Sequence, residues 1–377
     1  MNTPEFDVVI AGAGMAGASL GWQLARDSRV LVLERESQPG YHSTGRSAAM
    51  FMESYGPPQV RALTRASRAF YTQPPDGFAE HALLMRRGVF YVAWQGQEAL
   101  FDARLAELQS TGTAVERIGA AEALRRVPVL QRDGLLGAIV EPDAMDIDVH
   151  ALHQGFLHGV RAQGGEQWND AEVVTAERDA ETWTLTLADG RQMRTRTLVN
   201  ATGAWADALA QLAGARPLGL QAKRRSAFTF TPPQGTDIHR WPAVVAIDES
   251  WYFKPEAGLL LGSPANADPV LAHDVAAEEM DVALGIANIE RDTTLSIRRP
   301  RHTWAGLRTF APDGELVIGW DGERDGLFWL AGQGGYGIQT AAAAAELAAA
   351  LLRNAAVPES LKREGVDAQA MAPSRLR

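Results

Sequence analysis

Three glycines near the start of the chain constrain its fold more than any other feature. Gly12 ends the apolar segment FDVVIAG, and Gly14 and Gly17 follow it. A second apolar segment, VLVLE, ends at Glu34. In a strand–turn–helix unit such glycines permit the tight turn, the approach of a pyrophosphate and the packing of the helix on the sheet. The helix N-terminus favours an anion, and the acidic residue accepts hydrogen bonds from a ribose. The pattern predicts a dinucleotide site without a 2′-phosphate; the alternative is a glycine-rich turn that holds no ligand.

The composition excludes several classes of function. Of 377 residues, 46% are hydrophobic and 22% charged, enough for a large core and about two or three domains. The net charge is −10 and no block of Lys and Arg occurs, so we expect no nucleic-acid partner. The absence of cysteine excludes disulfides and thiolate metal sites. The opening MNTPEF lacks signal-peptide features and no apolar run is long enough to span a bilayer, so we expect a cytoplasmic protein without an integral membrane segment.

The remaining patterns predict an α/β domain interrupted by a largely antiparallel sheet. Asp189-Gly190 between two alternating segments is a strong hairpin signal. Residues 222–308 are mostly strand-like, with one helix near 278–288. GELVIGW, LFWLAG, a glycine turn and an alanine-rich helix then complete the first domain. A strand is predicted at 83–93, and further helices at 57–80, 97–108, 120–126 and about 149–162, the last preceded by acidic N-cap candidates.

Five separated motifs, in one order, resemble those of the FAD-dependent D-amino acid oxidase superfamily. They are the first glycine motif with its acidic partner, HSTGRSAA, LVNATGAWAD, WAGLRTFAPDGELVIG and GGYGIQ. Within the superfamily, YHSTGRSAA, KRRSAFTF, LLGSPANADP and HTWAGLR are most similar to bacterial D-arginine dehydrogenases. The resemblance implies an α/β fold with a discontinuous, glutathione-reductase-like Rossmann FAD domain and an α+β substrate domain containing a largely antiparallel sheet. We expect the FAD domain at 1–82, 143–218 and 309–377, and the substrate domain at 83–142 and 219–308.

The same resemblance implies noncovalent FAD as the cofactor. NAD is disfavoured, because the Ser/Thr-rich loop and the C-terminal glycine turn are flavin features in that family. The alternative to noncovalent binding is a covalent bond between His42 and the flavin. For Arg46, the alternative to a cofactor contact is a surface ion pair. Hydroxyls and free N–H groups suit a pyrophosphate, and those of the glycine turn suit the flavin edge where negative charge develops. The expected cofactor contacts are Gly12, Gly14, Met15, Ala16, Gly17, Glu34, Arg35, Ser43, Thr44, Arg46, Ser47, Ala48, Val174, Ala201, Thr202, Gly203, Gly306, Gly332, Gly334, Gly335, Tyr336, Gly337, Ile338 and Gln339.

An amino acid substrate requires a group that binds its carboxylate. A guanidinium in a dry pocket is suited best, since it can bind both oxygens. Arg308 is the first candidate and Arg225 the second; strand alternation would direct only one of Arg224 and Arg225 into the pocket.

Four further residues are assigned catalytic positions. The resemblance implies that Tyr252 and Tyr55 close over the substrate and that the carbonyl of Gly335 lies near the substrate amine. Gln339, at the start of the predicted last helix, is included with them. Each tyrosine could instead be a core residue satisfied by the backbone.

The expected side-chain pocket departs from the arginine enzymes. Where those carry a histidine and an acidic residue, this chain has Met50 and Val89, and Met52 replaces a small hydroxyl residue. A buried substrate cation would then lack a partner, so D-arginine and D-lysine should be poor substrates. Methionine and valine favour aliphatic, sulfur-containing or aromatic side chains. Glu53 is a nearby carboxylate that would accept a cation if it pointed inward; we expect it to be exposed.

The expected activity is oxidative deamination of D-amino acids to 2-oxo acids and ammonia, by hydride transfer to flavin N5 and release of an imine. Quinone and oxygen both remain open as electron acceptor. One alternative is an oxidase of N-methyl amino acids or other secondary amines, or a 2-hydroxy acid dehydrogenase; another is a flavin-binding redox partner without turnover. His150, His153 and His158 could line one helix face like metal ligands, but we interpret them as solvated residues and expect no metal.

Overall fold

A computed structural model describes residues 3–377 and defines the elements of the fold. Its strands are β1 Glu5–Ala11, β2 Val30–Leu33, β3 Met50–Phe51, β4 Leu84–Arg86, β5 Val89–Trp94, β6 Glu116–Gly119, β7 Leu135–Glu141, β8 Met145–Ile147, β9 Glu166–Trp168, β10 Val173–Asp179, β11 Thr182–Leu187, β12 Gln192–Asn200, β13 Gln221–Phe230, β14 Ala243–Ala246, β15 Tyr252–Glu256, β16 Leu259–Ser263, β17 Asp268–Pro269, β18 His302–Phe310, β19 Val317–Trp320 and β20 Leu327–Ala331. Its α-helices are α1 Met15–Leu24, α2 Pro58–Thr72, α3 Glu98–Ser110, α4 Ala120–Arg126, α5 Val149–Ala162, α6 Ala206–Leu212, α7 Glu279–Asp292, α8 Ala341–Leu352 and α9 Glu359–Arg363.

The first sheet has a parallel centre built around β1. Its strand order is β10-β11-β12-β1-β2-β9, and β20, which carries β19, pairs in parallel with the end of β12. The apolar residues of β1 and β2 are buried on both faces, as is typical of parallel strands covered by helices. Helix α1 packs against α5 and α8 on one side of this sheet. The Rossmann-like unit predicted from the first glycine motif is therefore present.

The second sheet has the order β17-β13-β16-β15-β14-β5-β7-β6, with β18 pairing along β13. Neighbouring strands are antiparallel except β14 and β5, which are parallel. The predicted α/β architecture with a largely antiparallel second sheet is confirmed. A small sheet, β3-β8-β4, contains strands from both predicted domains, and the proposed domain boundaries stay a prediction.

The register of the second sheet separates its two faces. Phe228, Phe253, Val244, Phe90 and Val140 are aligned across the strands and belong to one apolar cluster. Because successive side chains in a strand point to opposite faces, the residues next to these face the other way.

That other face turns towards the cavity described below. Arg225 is paired with Gly306, two residues before Arg308 on β18. Val245 is paired with both Tyr252 and Tyr91, and Val89 two residues earlier is paired with Glu141. Polar side chains therefore recur along this face from Arg308 to Glu141, interrupted by Val245 and Val89.

Most predicted elements are present, with two differences in extent. The helix predicted at 57–80 covers only 58–72, because Pro74 and Pro75 follow it. The strand predicted at 83–93 is divided by Gly88, whose φ is +73°. The helix at 149–162 is confirmed, and its N-cap Asp148 accepts a hydrogen bond from the Ala151 N–H at 2.8 Å.

The alanine-rich segment forms helix α8, which is buried along most of its length. It packs between α1 and α2 in the core of the first domain, as small side chains allow helices to approach closely. Within residues 3–377, the helices are too short or too polar to cross a membrane.

Candidate active site

A large cavity lies between the first sheet and the second. The first glycine turn, residues 40–48 and residues 201–205 line it from the first domain. Strands β13, β15 and β18 of the second sheet form the opposite wall, and residues 333–338 complete it. Most of the sequence-predicted site residues therefore lie around one enclosed space. Those lining it are Gly12, Gly14, Met15, Ala16, Glu34, Arg35, Ser43, Thr44, Arg46, Ser47, Ala48, Ala201, Thr202, Gly203, Arg225, Tyr252, Gly306, Arg308, Gly334, Gly335, Gly337 and Ile338.

The first glycine turn needs glycine at two positions for steric reasons. Gly12 has φ +103°, and a Cβ there would lie 2.3 Å from the carbonyl oxygen of Ala201. A Cβ on Gly17 would lie 1.8 Å from the carbonyl oxygen of Gly12. A Cβ on Gly14 would meet only Thr44 Oγ1, at 3.4 Å, so the side of Gly14 is open towards the cavity. The turn thus combines tight internal packing with a free approach for a ligand.

Glu34 is a buried carboxyl at the end of β2. Burial raises its pKa above the ordinary value, although backbone N–H groups of Glu36, Ala13 and Gly40 favour the ionised form. Within the described residues no Lys, Arg or His lies within 4 Å of its carboxylate. A buried acceptor at this place suits the hydroxyl groups of a ribose.

The loop after β2 connects the glycine turn to the second sheet. Thr44 Oγ1 accepts a hydrogen bond from the Met15 N–H at 2.9 Å, and Ser43 Oγ donates one to the Leu307 carbonyl at 2.8 Å. Arg46 combines both interpretations considered for it, since it donates to the carbonyls of Tyr41, Val275 and Ala305 and also pairs with Asp274. These bonds attach the loop to β18 and its surroundings.

His42 lines the cavity with one ring nitrogen engaged. Its Nε2 lies 2.7 Å from Glu36 Oε1, and its ring packs against Trp205 at a centroid distance of 4.6 Å. Its Nδ1 is buried and has no hydrogen-bond partner within residues 3–377. The ring is thus fixed in orientation beside the cavity.

Five of the expected cofactor contacts do not line the cavity. Gly17 packs inside the turn, Gly332 packs against Val317, and Tyr336 lies between the rings of Tyr55 and Phe310. Val174 is exposed and Val173 lines the cavity in its place, because a register shift between Val173 and Thr175 reverses the alternation of β10.

The fifth is Gln339, which holds a loop. Its Oε1 accepts the Met52 N–H at 3.3 Å, and its Nε2 donates to the Tyr55 carbonyl and to Thr64 Oγ1. The last helix was predicted to begin near Ile338, but α8 begins three residues later, after an N-cap at Thr340.

Arg308 and Arg225 lie together in the second-sheet wall, with Tyr252. Arg308 is half-buried, and a Cβ on Gly335 would lie only 2.9 Å from its Nη1. Burial opposes the charge of Arg308, but the phenol oxygens of Tyr55 and Tyr252 outweigh this and raise its pKa. Burial, followed by the charge of Arg308, lowers the pKa of Arg225. Burial raises the pKa of Tyr252, but Arg225 and then Arg308 outweigh it and lower that pKa overall.

The register settles which of the two adjacent arginines faces the cavity. Arg225 lines it, whereas Arg224 points away and pairs with Asp281, Glu278 and Asp268. Within the described residues no Asp or Glu oxygen lies within 4 Å of the Arg225 or Arg308 guanidinium, so the two charges remain without a protein counter-ion.

The loop 52–56 carries Tyr55, whose ring packs on Tyr336 at a centroid distance of 5.0 Å and which is not part of the cavity lining. Tyr55 is 37% exposed, and its phenol group is near enough to Arg308 to help raise the pKa of that guanidinium. Glu53, which we expected to be exposed, is half-buried and pairs with Arg68 at 2.6 Å. Its charge is therefore neutralised by the protein.

Met50, Met52 and Val89 contact a common apolar cluster beside the second sheet. Val89 is fully buried, and the two methionines are half-buried against the cluster that contains Val89 and Tyr91. They pack on one cluster, but they are not part of the lining of the large cavity.

Sequence reasoning missed Glu141, the last residue of β7. It is 1% exposed, it accepts a hydrogen bond from Ser54 Oγ at 2.8 Å, and Tyr91 lies at 3.5 Å. Burial raises the pKa of Glu141 to about 7. The local sequence IVEPD contains no signal for this environment, because the partners come from β5 and from loop 52–56.

The histidines of α5 do not form a metal site. His153 was interpreted as solvated, but it is 4% exposed and its Nε2 lies 2.8 Å from the Ala13 carbonyl oxygen. Its ring therefore contacts the backbone of the first glycine turn. No group of three or more potential metal ligands occurs within residues 3–377.

Solved structures show that this architecture is shared with redox flavoproteins and related enzymes. L-proline dehydrogenase from P. horikoshii matches with a TM-score of 0.82 at 20% identity, covering 99% of this chain and 98% of that one. Glycine oxidase from Geobacillus kaustophilus matches with a TM-score of 0.80 at 23% identity, covering 94% and 96%. L-α-glycerophosphate oxidase from Mycoplasma pneumoniae, solved with FAD bound, matches with a TM-score of 0.83 at 14% identity, covering 94% and 95%. At these sequence identities, the structural similarity establishes the fold alone.

Residues 7–351 match the FAD-dependent oxidoreductase family called DAO, and the chain belongs to that family. Among curated proteins it is 23% identical to glycine oxidase of Bacillus licheniformis over 369 residues, covering 92% of this chain and 93% of that one. It is 27% identical to L-2-hydroxyglutarate dehydrogenase of Salmonella houtenae over 223 residues, covering 56% and 51%. The protein is therefore an FAD-dependent oxidoreductase.

The residues present fit FAD. The open side of Gly14 allows the pyrophosphate to approach, and the buried carboxyl of Glu34 lies where a ribose would bind. The Gly334–Gly335 segment and Arg308 line the far end of the same cavity, where the isoalloxazine and substrate would meet.

Proposed function

We propose that this protein oxidises D-amino acids with apolar side chains to 2-oxo acids and ammonia. The observation that carries the proposal is the pair of half-buried guanidiniums of Arg308 and Arg225, which line the cavity and lack a carboxylate within 4 Å in residues 3–377. Charges that are partly removed from water are costly unless they are paired, so this wall of the cavity is suited to an anionic ligand. The carboxylate of an amino acid has the planar geometry that a guanidinium binds through two hydrogen bonds.

The protein would orient the substrate from three sides. Arg308 and Arg225 bind the carboxylate, and the phenol groups of Tyr252 and Tyr55 add hydrogen bonds to it. The carbonyl of Gly335, next to Arg308, accepts a hydrogen bond from the substrate amine. Bound FAD supplies the acceptor for the α-hydrogen and its electron pair, and the imine that leaves is hydrolysed in water. Orientation and exclusion of water are the contributions of these side chains.

The preference for apolar side chains is supported by the surroundings of Met50, Met52 and Val89. These residues form an apolar cluster that is not part of the cavity lining, and the nearby carboxylate of Glu53 is paired with Arg68. To gain a partner there, a cationic side chain would have to displace Glu53 from Arg68 or Glu141 from Ser54, and burying it without a partner would cost several kcal/mol. The D configuration is supported by the similarity of the motifs to D-amino acid enzymes.

The second candidate is an enzyme for secondary amines, glycine or 2-hydroxy acids on the same scaffold. It is favoured by the curated relatives, which include glycine oxidase and L-2-hydroxyglutarate dehydrogenase. These molecules also carry a carboxylate, so the guanidinium pair alone does not separate the candidates.

Anaerobic reduction of the flavin separates them. The purified holoenzyme is mixed with D-leucine, D-methionine, D-phenylalanine, D-arginine, their L-enantiomers, sarcosine, glycine and L-2-hydroxyglutarate, and the visible flavin band is followed. Rapid bleaching by apolar D-amino acids with slow bleaching by D-arginine supports the proposal. Faster bleaching by sarcosine, glycine or the hydroxy acid selects the second candidate, and no bleaching by any of them contradicts both.

Two adjacent arginines supply a matched pair of variants. Arg225→Met removes a guanidinium from the cavity, and we expect at least a tenfold loss in kcat/KM, since a charged hydrogen bond is worth about 1.5–3 kcal/mol. Arg224→Met removes the neighbour that faces away, and its kcat/KM should stay near that of the wild type. Exposure of the reduced enzyme to oxygen or to a soluble quinone then identifies the electron acceptor.

A further inference from the structure

Glu141 is a buried carboxyl group that the proposed reaction does not use. Its side chain reaches from the end of β7 to Ser54, in the loop that carries Tyr55. Within the described residues no Lys, Arg or His nitrogen lies within 4 Å of it. Its contacts are hydrogen bonds from Ser54 at 2.8 Å and from the Tyr91 phenol at 3.5 Å.

Two other deeply buried carboxyls of this protein, Asp146 and Asp321, are neutralised by cations, whereas Glu34 in the cavity is not. Asp146 is paired with Arg87 at 2.6 Å and with Lys254 at 2.9 Å. Asp321 is paired with Arg377. Glu141 differs from both, because its bonds go to a loop of the first domain and to a tyrosine. Such an arrangement does not stabilise the folded protein, because an ionised carboxylate without a cation is costly to bury.

The loop that Glu141 holds determines the position of Tyr55. Ser54 is the residue before Tyr55, whose phenol group reaches Arg308. Gln339 holds the backbone of the same loop at Met52 and Tyr55. Glu141 supplies the side-chain anchor from the second sheet, so the loop is fixed to both walls of the cavity only while the bond to Ser54 is made.

We propose that Glu141 is a positioning residue whose ionised carboxylate, by holding Ser54, keeps Tyr55 against Arg308 over the bound substrate. The kinetic part of this inference rests on the proposed function; the conformational part does not. The bond from Ser54 Oγ is the side-chain connection between this loop and β7, and a change at Glu141 would weaken it.

The charges around Glu141 make this contact sensitive to pH. Burial raises its pKa to about 7, Ser54 and Tyr91 oppose the rise through hydrogen bonds, and Glu53 adds to it. On the other side of Tyr91, Arg104 and Glu249 form an ion pair that contributes charges of both signs. The ionised carboxylate is the stronger acceptor for the Ser54 hydroxyl, because hydrogen bonds to charged groups are stronger. The loop is therefore held more firmly above pH 7 than below it.

The kinetic experiment compares KM for the best amino acid substrate between pH 6 and pH 8.5. In the wild type, KM should rise as the pH falls below 7, by about tenfold for the loss of one charged hydrogen bond. Glu141→Gln keeps an acceptor but cannot ionise, so its KM should be high and independent of pH in this range. Ser54→Ala should give the same high KM and flat profile. Glu249→Gln, which changes a nearby charge without touching the loop, should keep the wild-type profile.

A second readout does not depend on turnover. Hydrogen–deuterium exchange of the peptide 50–57 is measured on the holoenzyme without substrate, comparing variants at the same pH. At pH 8 the wild type and Glu249→Gln should be protected relative to Glu141→Gln and Ser54→Ala, and at pH 6 the difference should shrink. Equal exchange in wild type and Ser54→Ala at pH 8 would overturn the inference. So would a KM profile of Glu141→Gln that follows the wild type. If no amino acid reduces the flavin, the exchange result still decides the positioning role.

Discussion

The pKa of Glu141 predicts that a neutral substitution stabilises the protein in a pH-dependent way. Its pKa is about 7 in the folded protein and has an ordinary value of 4.5. Below pH 4.5 both folded and unfolded states hold the proton, and the group does not affect stability. Between 4.5 and 7 the unfolded state releases its proton while the folded state keeps it, so stability falls as the pH rises. Above 7 the loss is complete and amounts to about 3 kcal/mol, at 1.36 kcal/mol for each pH unit between the two values.

Glu141→Gln removes this titration. A glutamine retains the shape and one neutral acceptor, so its bond to Ser54 is comparable with that of the protonated wild-type carboxyl at pH 5 and does not change with pH. The free energy of unfolding of the variant, relative to wild type, should therefore increase by about 2–3 kcal/mol between pH 5 and pH 8. The variant that positions Tyr55 less well would be the more stable protein at pH 8.

Urea unfolding at pH 5, 6, 7 and 8 measures this difference, with FAD at one fixed excess because bound cofactor stabilises the folded state. The urea midpoint of the variant should exceed that of the wild type by an amount that grows as the pH rises. The slope of the unfolding free energy against urea concentration should be the same for both proteins. Glu249→Gln serves as control for the loss of an exposed carboxylate and should follow the wild type. A constant difference across the four pH values would show that Glu141 does not titrate in this range and would refute the reasoning.

Four further predictions concern the cofactor and the substrate. Gly17→Ala should abolish FAD retention, because the added methyl would lie 1.8 Å from the Gly12 carbonyl oxygen; the ratio of flavin to protein absorbance after purification measures this. Glu34→Gln should weaken FAD by roughly 10–100-fold through the loss of charged hydrogen bonds, as measured by flavin fluorescence titration of the apoprotein. Acid precipitation should leave the flavin in the supernatant, and a yellow pellet would instead indicate a bond to His42. Met50→Glu should raise kcat/KM for D-arginine relative to D-methionine in a steady-state assay, whereas an unchanged ratio would place the side-chain pocket elsewhere.

The local parts of the site could be predicted from the sequence. The first turn requires glycine for reasons contained within a few residues, and the N-cap role of Asp148 depends only on Ala151 three residues later. Arg308 and Arg225 were identified as candidates because a guanidinium suits a carboxylate and because both lie in motifs that resemble those of the family. Their proximity in the cavity wall, however, depends on the ladder between β13 and β18.

The missed features depend on contacts between distant segments. Val174 was assigned to the cavity, but a register shift in β10 exposes it and directs Val173 inward. His153 appeared to be a surface residue, yet its ring bonds the Ala13 carbonyl oxygen in the first glycine turn. Glu141 gave no signal at all, because Ser54 becomes its neighbour only after β7 has paired with β5. Strand alternation and motifs predict the chemistry that a residue can contribute. Which side chains become its neighbours is determined by the pairing of distant strands.

The pairing of the first sheet also sets the order in which this protein can be completed during synthesis. Val9 in β1 pairs with Leu198, and Leu198 pairs with Leu327. At about 5–20 residues per second, the ribosome needs roughly 15–60 s to deliver the last of these strands after the first. β1 can pair with β2 early and with β12 once that strand has emerged, but the end of β12 lacks its partner until β20 is made. The first glycine motif is therefore synthesised long before the sheet that supports it is complete. We expect the dependence of folding on chaperones to fall sharply once β20 has emerged.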